Sequence, residues 1–321
     1  VANRYNTTAL IEQVKRIPSI PTSQALLSDD DILRFANQQL KLPIVSLIQS
    51  VVEEYFVYTA NYTVTQVDNF IRIPSEASGL RLREVYYLDS EGGNIRHQAV
   101  RVQLEQLGNS YWAFGCDGDN HGAYYLENNM IKFWPEVSST KYIKIAYYRI
   151  PNELVTVASG VTVGDCTIVN GFESTATPPS AWATNLATEY YFDVISPDLP
   201  FNTKGTITVN GISANIFYVN DATELALVES GDYIYYKGEA PVAQYVPQEA
   251  FYLLAQATAC KVLEALGDSQ GLKEANADLA MLKQNMLKLV SPRSIGQPKK
   301  LVNRNSVFGA ARIGWSTIVS R

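Results

Sequence analysis

The sequence predicts an α+β protein. It reads as a helical bundle built from the N- and C-terminal segments, a large inserted antiparallel β domain of sandwich or barrel type, and an extended C-terminal arm. Three observations predict this. Apolar residues recur at helical spacing near both ends of the chain. The middle is a succession of short β-branched and aromatic runs separated by Gly- and Pro-containing turns. The last stretch, Ser291 to Arg321, carries basic groups and no acids. The boundaries fall at 1–58 (N-terminal helices), 59–246 (β insert), 247–290 (C-terminal helical hairpin) and 291–321 (arm). A division of the insert into two modules near 152–187 is the alternative to a single one.

Residues Thr7 to Arg16 read as a short helix with a Thr cap, and Pro18 and Pro21 force an extended linker after it. Ser28 can cap the next helix, with Asp31 in the capping-box position. Asp29, Asp30 and Asp31 sit where the helix dipole favours negative charge, which accounts for them more simply than a carboxylate cluster for a metal does. Ile32, Leu33, Ala36 and Leu40 form the inward stripe. Pro43 breaks or kinks the helix and can start another through Ile44, Leu47, Ile48, Val51, Tyr55 and Phe56. Isolated helices this short are marginal in water, so the two helical ends are expected to pack together.

Between them, Tyr62 to Ile73, Leu82 to Leu88 and Tyr142 to Ile150 are strand-like, the last with Ile143, Ile145 and Tyr147 on one face. Ile95 to Leu104 alternates in part, and Gly122 to Trp134 reads as a hairpin turning at Glu127-Asn128-Asn129. Further strands are expected at Val161–Val169, Tyr190–Ile195, Thr206–Val209, Asn215–Val219 and Tyr233–Tyr236, with Phe172 to Ala187 as a loop. A helix starting at Pro247 carries Ala250, Phe251, Leu254, Ala257, Val262 and Leu266, and Gly267-Asp268 stops it. In the last helix Leu272, Leu279 and Met286 fall seven apart, as do Ala275, Leu282 and Leu289, a seam suited to other helices.

Composition narrows the function. The chain has 321 residues, 46% hydrophobic and 18% charged, enough for about two domains with full cores. A net charge of −6 argues against a general nucleic-acid binder. Cys116, Cys166 and Cys260 are odd in number and scattered, with neither a disulfide framework nor metal-ligand spacing, which reads as synthesis in a reducing compartment. No stretch approaches the length of a membrane span, and the opening residues do not read as a signal peptide.

Catalytic chemistry is absent from the pattern. The histidines are His97 and His121, and no phosphate loop, dinucleotide fingerprint or nucleophile elbow occurs. Cys116-Asp117-Gly118-Asp119-Asn120-His121-Gly122 opens like a calcium loop, but Asn128 stands where the bidentate Glu belongs, so a solvated turn is expected. Glu53 and Glu54 are adjacent and diverge around a helix. Trp112, Trp134 and Trp182 could stack sugars, although core or interface packing is the simpler expectation. No catalytic, cofactor or metal residue is assigned, and the chain reads as a non-enzyme.

The arm carries Arg293, Lys299, Lys300, Arg304, Arg312 and Arg321, leaving 20 basic and 32 acidic residues in 1–290, a net of −12. Leu301, Val302, Val307, Phe308, Ile313, Trp315, Ile318 and Val319 are interleaved with the charges, which suits docking rather than a merely solvated tail. Arg293, Lys299, Lys300, Arg304, Phe308, Arg312 and Trp315 are the expected partner-binding residues.

Four segments carry a family resemblance: Ile11-Glu12-Gln13-Val14-Lys15-Arg16 with Ile20-Pro21-Thr22-Ser23-Gln24; Leu27 to Leu33 leading to Pro43-Ile44-Val45 and Val52-Glu53-Glu54-Tyr55-Phe56; Ala257 to Asp268; and Ser291-Pro292-Arg293 through Pro298-Lys299-Lys300 to Val302-Asn303-Arg304-Asn305-Ser306. In this order the chain resembles the head-to-tail connector adaptors of tailed bacteriophages. The resemblance covers most of the chain, least clearly at 160–240. It implies a ring, a dodecamer in the typical case, beneath the portal protein, with the C-terminal arm docked on the portal. It further implies downstream tail or nozzle proteins as partners, DNA passing through the lumen without sequence-specific binding, no membrane, and a place in the virion after assembly in the bacterial cytoplasm. The alternative is a carbohydrate- or receptor-binding β module of a virion or surface protein.

Overall fold

The computed structural model describes residues 5–17, 27–94, 96–106, 122–134, 137, 139–168, 170–179, 182, 190–197 and 203–290. The protein is mixed α+β with several antiparallel sheets. Val1–Val290 makes one unit and Ser291–Arg321 a second, which lies outside the described residues.

The first helix, α1, spans Thr7–Arg16. Its cap is Asn6 rather than a threonine, the Asn6 side chain accepting from the Ala9 amide at 2.9 Å. Helix α2, Asp29–Gln39, opens with the expected capping box: Ser28 Oγ accepts from the Asp31 amide, and the Asp31 carboxylate accepts from the Ser28 amide, each at 3.2 Å. The Ser28 hydroxyl, which donates to the Asp31 carboxylate at 2.7 Å, and after it the Ser28 amide hold that carboxyl below its ordinary pKa. Pro43 does not end the helix. Its missing N–H and its ring are accommodated by a wide π-turn over Leu40–Ile44, and α3 continues over Val45–Gln49. The helix then stops short of Tyr55 and Phe56. Val52 turns extended (φ −129°, ψ 91°), and Glu53–Phe56 form a single 3₁₀ turn. The β-branched pair Val51-Val52 resists further helix here.

The first β half holds β1 (Val57–Val64), β2 (Phe70–Arg72), β3 (Ala77–Leu88), β4 (Arg96–Gln98), β5 (Val100–Arg101), β6 (Ala123–Glu127), β7 (Met130–Trp134) and β8 (Lys141–Arg149). They form two four-stranded sheets, ordered β1-β8-β3-β4 and β2-β7-β6-β5. Ile143, Ile145 and Tyr147 are buried on one face of β8, as the alternation predicts, and share a core with Val64, Ile71, Tyr124, Ile131 and Phe133. The β6–β7 hairpin turns on Asn128 (φ 49°) and Asn129 (φ 62°), the left-handed pair that a two-residue turn needs. The strand expected over Tyr62–Ile73 is two strands, because Thr65 and Asp68 close a turn between them.

The second half holds β9 (Glu153–Leu154), β10 (Val161–Thr162), β11 (Gly171–Glu173), β12 (Tyr190–Ile195), β13 (Thr203–Ser213), β14 (Ile216–Val219), the short helix α4 (Ala222–Leu225), β15 (Tyr233–Tyr236) and β16 (Glu239–Ala240). Six of these strands form one sheet, ordered β10-β15-β12-β13-β14-β11. The stretch expected as a loop from Phe172 contributes β11 instead. Phe172 is fully buried and stacks on Phe217 with ring centroids 4.9 Å apart. A Cβ at Gly171 would overlap the Phe217 carbonyl, so the close approach of the two strands requires glycine there.

Helix α5 spans Ala250–Leu266, starting after a turn in which the Ala250 amide donates to the Pro247 carbonyl. It is buried nearly all round. Gly267 ends it in the left-handed conformation (φ 75°), with the Asp268 amide donating to Leu263 O at 3.1 Å. Helix α6 follows over Ser269–Val290. Buried residues from α1, α2, α3, α5 and α6, with Phe56 and Leu154, form one contiguous apolar cluster. Cys260 is buried as a small hydrophobe, and burial raises its thiol pKa.

Candidate functional site

The expected arm residues Arg293, Lys299, Lys300, Arg304, Phe308, Arg312 and Trp315 lie outside the described residues. So do Trp112 and the calcium-like stretch Cys116 to His121. Among the described residues no group of three or more His, Cys, Asp or Glu is placed to hold a metal. Trp182 is 3% exposed and packs against Phe192, Phe217 and Tyr236, so it belongs to the core of the six-stranded sheet and offers no sugar platform. Glu53 and Glu54 diverge as expected. Glu53 accepts from the Tyr148 hydroxyl at 2.9 Å, and Glu54 pairs with Arg83.

The charged side chains that do converge meet in a cleft of about 470 Å³ where the two β halves approach the chain leading into α5. Arg149, at the end of β8, is its centre. Its guanidinium lies over the rings of Tyr245 (4.1 Å) and Tyr58 (4.9 Å), and its Nε is 3.0 Å from Glu76. Lys237, just after β15, approaches the other oxygen of Glu76 at 3.8 Å. Asp193 on β12 accepts from the Thr206 hydroxyl at 2.6 Å and the Gly238 amide at 2.8 Å. Lys41, from the π-turn, pairs with Glu153 at 3.1 Å. Beside it Glu239, paired in register with Glu153, has its carboxyl pKa raised by burial and by the Glu153 charge.

Three of these carboxylates are matched: Glu76 and Glu153 face cations, and Asp193 faces a hydroxyl and a backbone amide, which makes a fastening; Glu239, held beside Glu153, is the exception. Neutral amides extend the fastening. Asn37 of α2 donates to Leu154 O at 3.0 Å and accepts from the Leu154 amide at 2.7 Å, doing for β9 what a neighbouring strand would do. Asn152 does the same between the Val242 carbonyl (2.9 Å) and the Gln244 amide (2.7 Å). No sequence pattern marks these contacts, because their partners lie 117, 90 and 92 residues away.

The outward surface of the C-terminal hairpin is different. Of the heptad positions on α6, Ala275 and Met286 are buried, while Leu272, Leu279 and Leu282 are half-buried. Leu289 is 61% and the neighbouring Met281 58% exposed, and Tyr252 of α5 is 52% exposed. A shallow groove of about 340 Å³ runs along Tyr252, Leu282, Met286 and Leu289. Among the described residues no helix is long and apolar enough to cross a membrane. In comparisons with known proteins, no family matches the chain and no curated protein matches it in sequence.

Proposed function

We propose that the chain is a structural head-to-tail adaptor of a tailed-phage virion, in which a helical bundle with an inserted β domain forms a ring under the portal. In this reading the arm docks on the portal through Arg293, Lys299, Lys300, Arg304 and Arg312, with Phe308 and Trp315 as desolvated anchors. Downstream tail proteins bind below, and DNA passes through a lumen whose acidic lining repels phosphate.

The observation that carries the reading is the charge division along the chain. An acidic body of net −12 (residues 1–290) is followed by a segment with six basic residues, no acids and interleaved large apolar groups. Two features support it further. The converging charges of the cleft neutralise one another, as a scaffold's do. The exposed apolar residues on α5 and α6 offer contact area for neighbours.

The test is to mix purified chain with its portal and image the product by electron microscopy, alongside a chain lacking 291–321. The full chain is expected to decorate the portal as a ring, and the truncated chain is expected to fold but to lose the association. Equal binding by both chains would overturn the role of the arm, and no ring from either would overturn the adaptor reading.

A further inference from the structure

Among the described residues, strand β1 is an edge strand without cover. It lies at the rim of its sheet, and its register with β8 runs unbroken from Val57↔Tyr148 to Val64↔Lys141. Among the described residues, no backbone hydrogen bond reaches it from the side away from β8. Val57-Tyr58-Thr59-Ala60-Asn61-Tyr62-Thr63-Val64 contains no charge and no proline, and no bulge interrupts it. Edge strands of single-copy proteins ordinarily carry one of these devices, because a bare row of N–H and C=O groups templates another strand. The bare strip is also neutral on a body of net −12, so it is a place where two such bodies can meet without like charges opposed.

We propose that the β1 edge takes the β1 strand of a second copy, antiparallel, about a two-fold axis through Ala60. Directly opposite residues of an antiparallel pair share a face. Ala60, Tyr62 and Val64 point to the core side, and Tyr58, on the same face and edge-on to Tyr147, is 44% exposed at its rim, while Thr59, Asn61 and Thr63 are exposed on the other. With Ala60 on the axis, Tyr58 of each copy stands opposite Tyr62 of the other, and Thr59 opposite Asn61. Aromatic and hydroxyl–amide cross-strand pairs are favourable, and the small Ala60 pair lets the strands approach at the centre. The result is a continuous eight-stranded sheet across two copies. A two-fold pair closes on itself, so it is not the contact of a ring whose subunits all face one way. It goes beyond the adaptor reading as the resting form of the free chain, whose β1 strands must part before ring contacts form.

The test uses the full chain over a concentration series, by light scattering after size exclusion and by amide hydrogen exchange within Val57–Val64. Thr59 and Asn61 are both exposed, with Ala146 and Lys144 opposite them on β8, so circular dichroism and the urea midpoint check that a lysine at 61, which meets Lys144, leaves the fold intact. The expected result is a dimer in which β1 amides exchange more slowly as association proceeds. Thr59→Lys with Asn61→Lys opposes like charges and raises the dimer Kd by at least about tenfold. Thr59→Lys with Asn61→Glu pairs opposite charges and keeps the dimer. A chain that stays monomeric throughout overturns the proposal. So does one that associates with β1 exchange unchanged, or whose double-lysine variant associates as the native chain does. The adaptor reading survives each of these outcomes, since its own test is portal binding by the arm.

Discussion

Glu239, next to the cleft, is the carboxylate with the least comfortable surroundings there, half-buried and beside Glu153. Its folded pKa lies above its unfolded one, so the native state binds the proton more tightly. Stability therefore falls as pH rises through the window from the ordinary glutamate pKa, about 4.3, to the raised folded value. Glu239→Gln is expected to raise the thermal midpoint at pH 7 and to leave it nearly unchanged well below pH 4, as scanning calorimetry at both would register. Asn37 and Asn152 are the opposite case, amides that each donate to and accept from strand backbone. An Asn reads in the sequence only as a residue of loops and caps. That these two bind strand backbone far along the chain was not legible, since the partner exists only after folding.

At the scale of elements, periodicity was a good guide wherever the local chemistry agreed with it. The capping box at Ser28, the face of β8 and the stop at Gly267 were all readable, each set by neighbours a few residues away. The failures have physical causes. Apolar spacing continues past Gln49 to Phe56, but the Ser50 hydroxyl donates back to the Leu47 carbonyl and Val52 turns extended before it can be used. A three-residue strand such as β11 is too short for alternation to register, and its pairing with β14 is decided by Phe172 and Phe217 together. The β6–β7 turn depends on side chains that tolerate positive φ. Asn129→Val, which puts a β-branched residue at φ 62°, is expected to cost about 1–2 kcal/mol, measured by urea unfolding. Asn129→Gly is expected to be neutral or slightly stabilising.

At the scale of the whole molecule, the expected mixed α+β composition is present. The arm on which the functional reading rests lies outside the described residues, and the fastening in the cleft left no mark in the sequence. Glu76 bridges Arg149 of the first β half and Lys237 of the second, with Tyr245 stacked on Arg149 from the approach to α5. Glu76→Gln leaves two cations facing a neutral amide. Because the pair is partly exposed, the cost is expected to be about 1–3 kcal/mol rather than that of a fully buried charge. It should appear as a lower urea midpoint that added salt partly restores.

The shared helical core has a consequence for how the chain is made. Residues such as Leu10, Ile32 and Ile48 reach their final neighbours Leu253, Ala259 and Val262 only after the entire β insert has been translated. At roughly 5–20 residues per second, a ribosome holds those first helices waiting for something like 10–40 seconds. Over that interval their greasy faces are open to aggregation, which makes the nascent chain a natural client for chaperones until its last helices emerge.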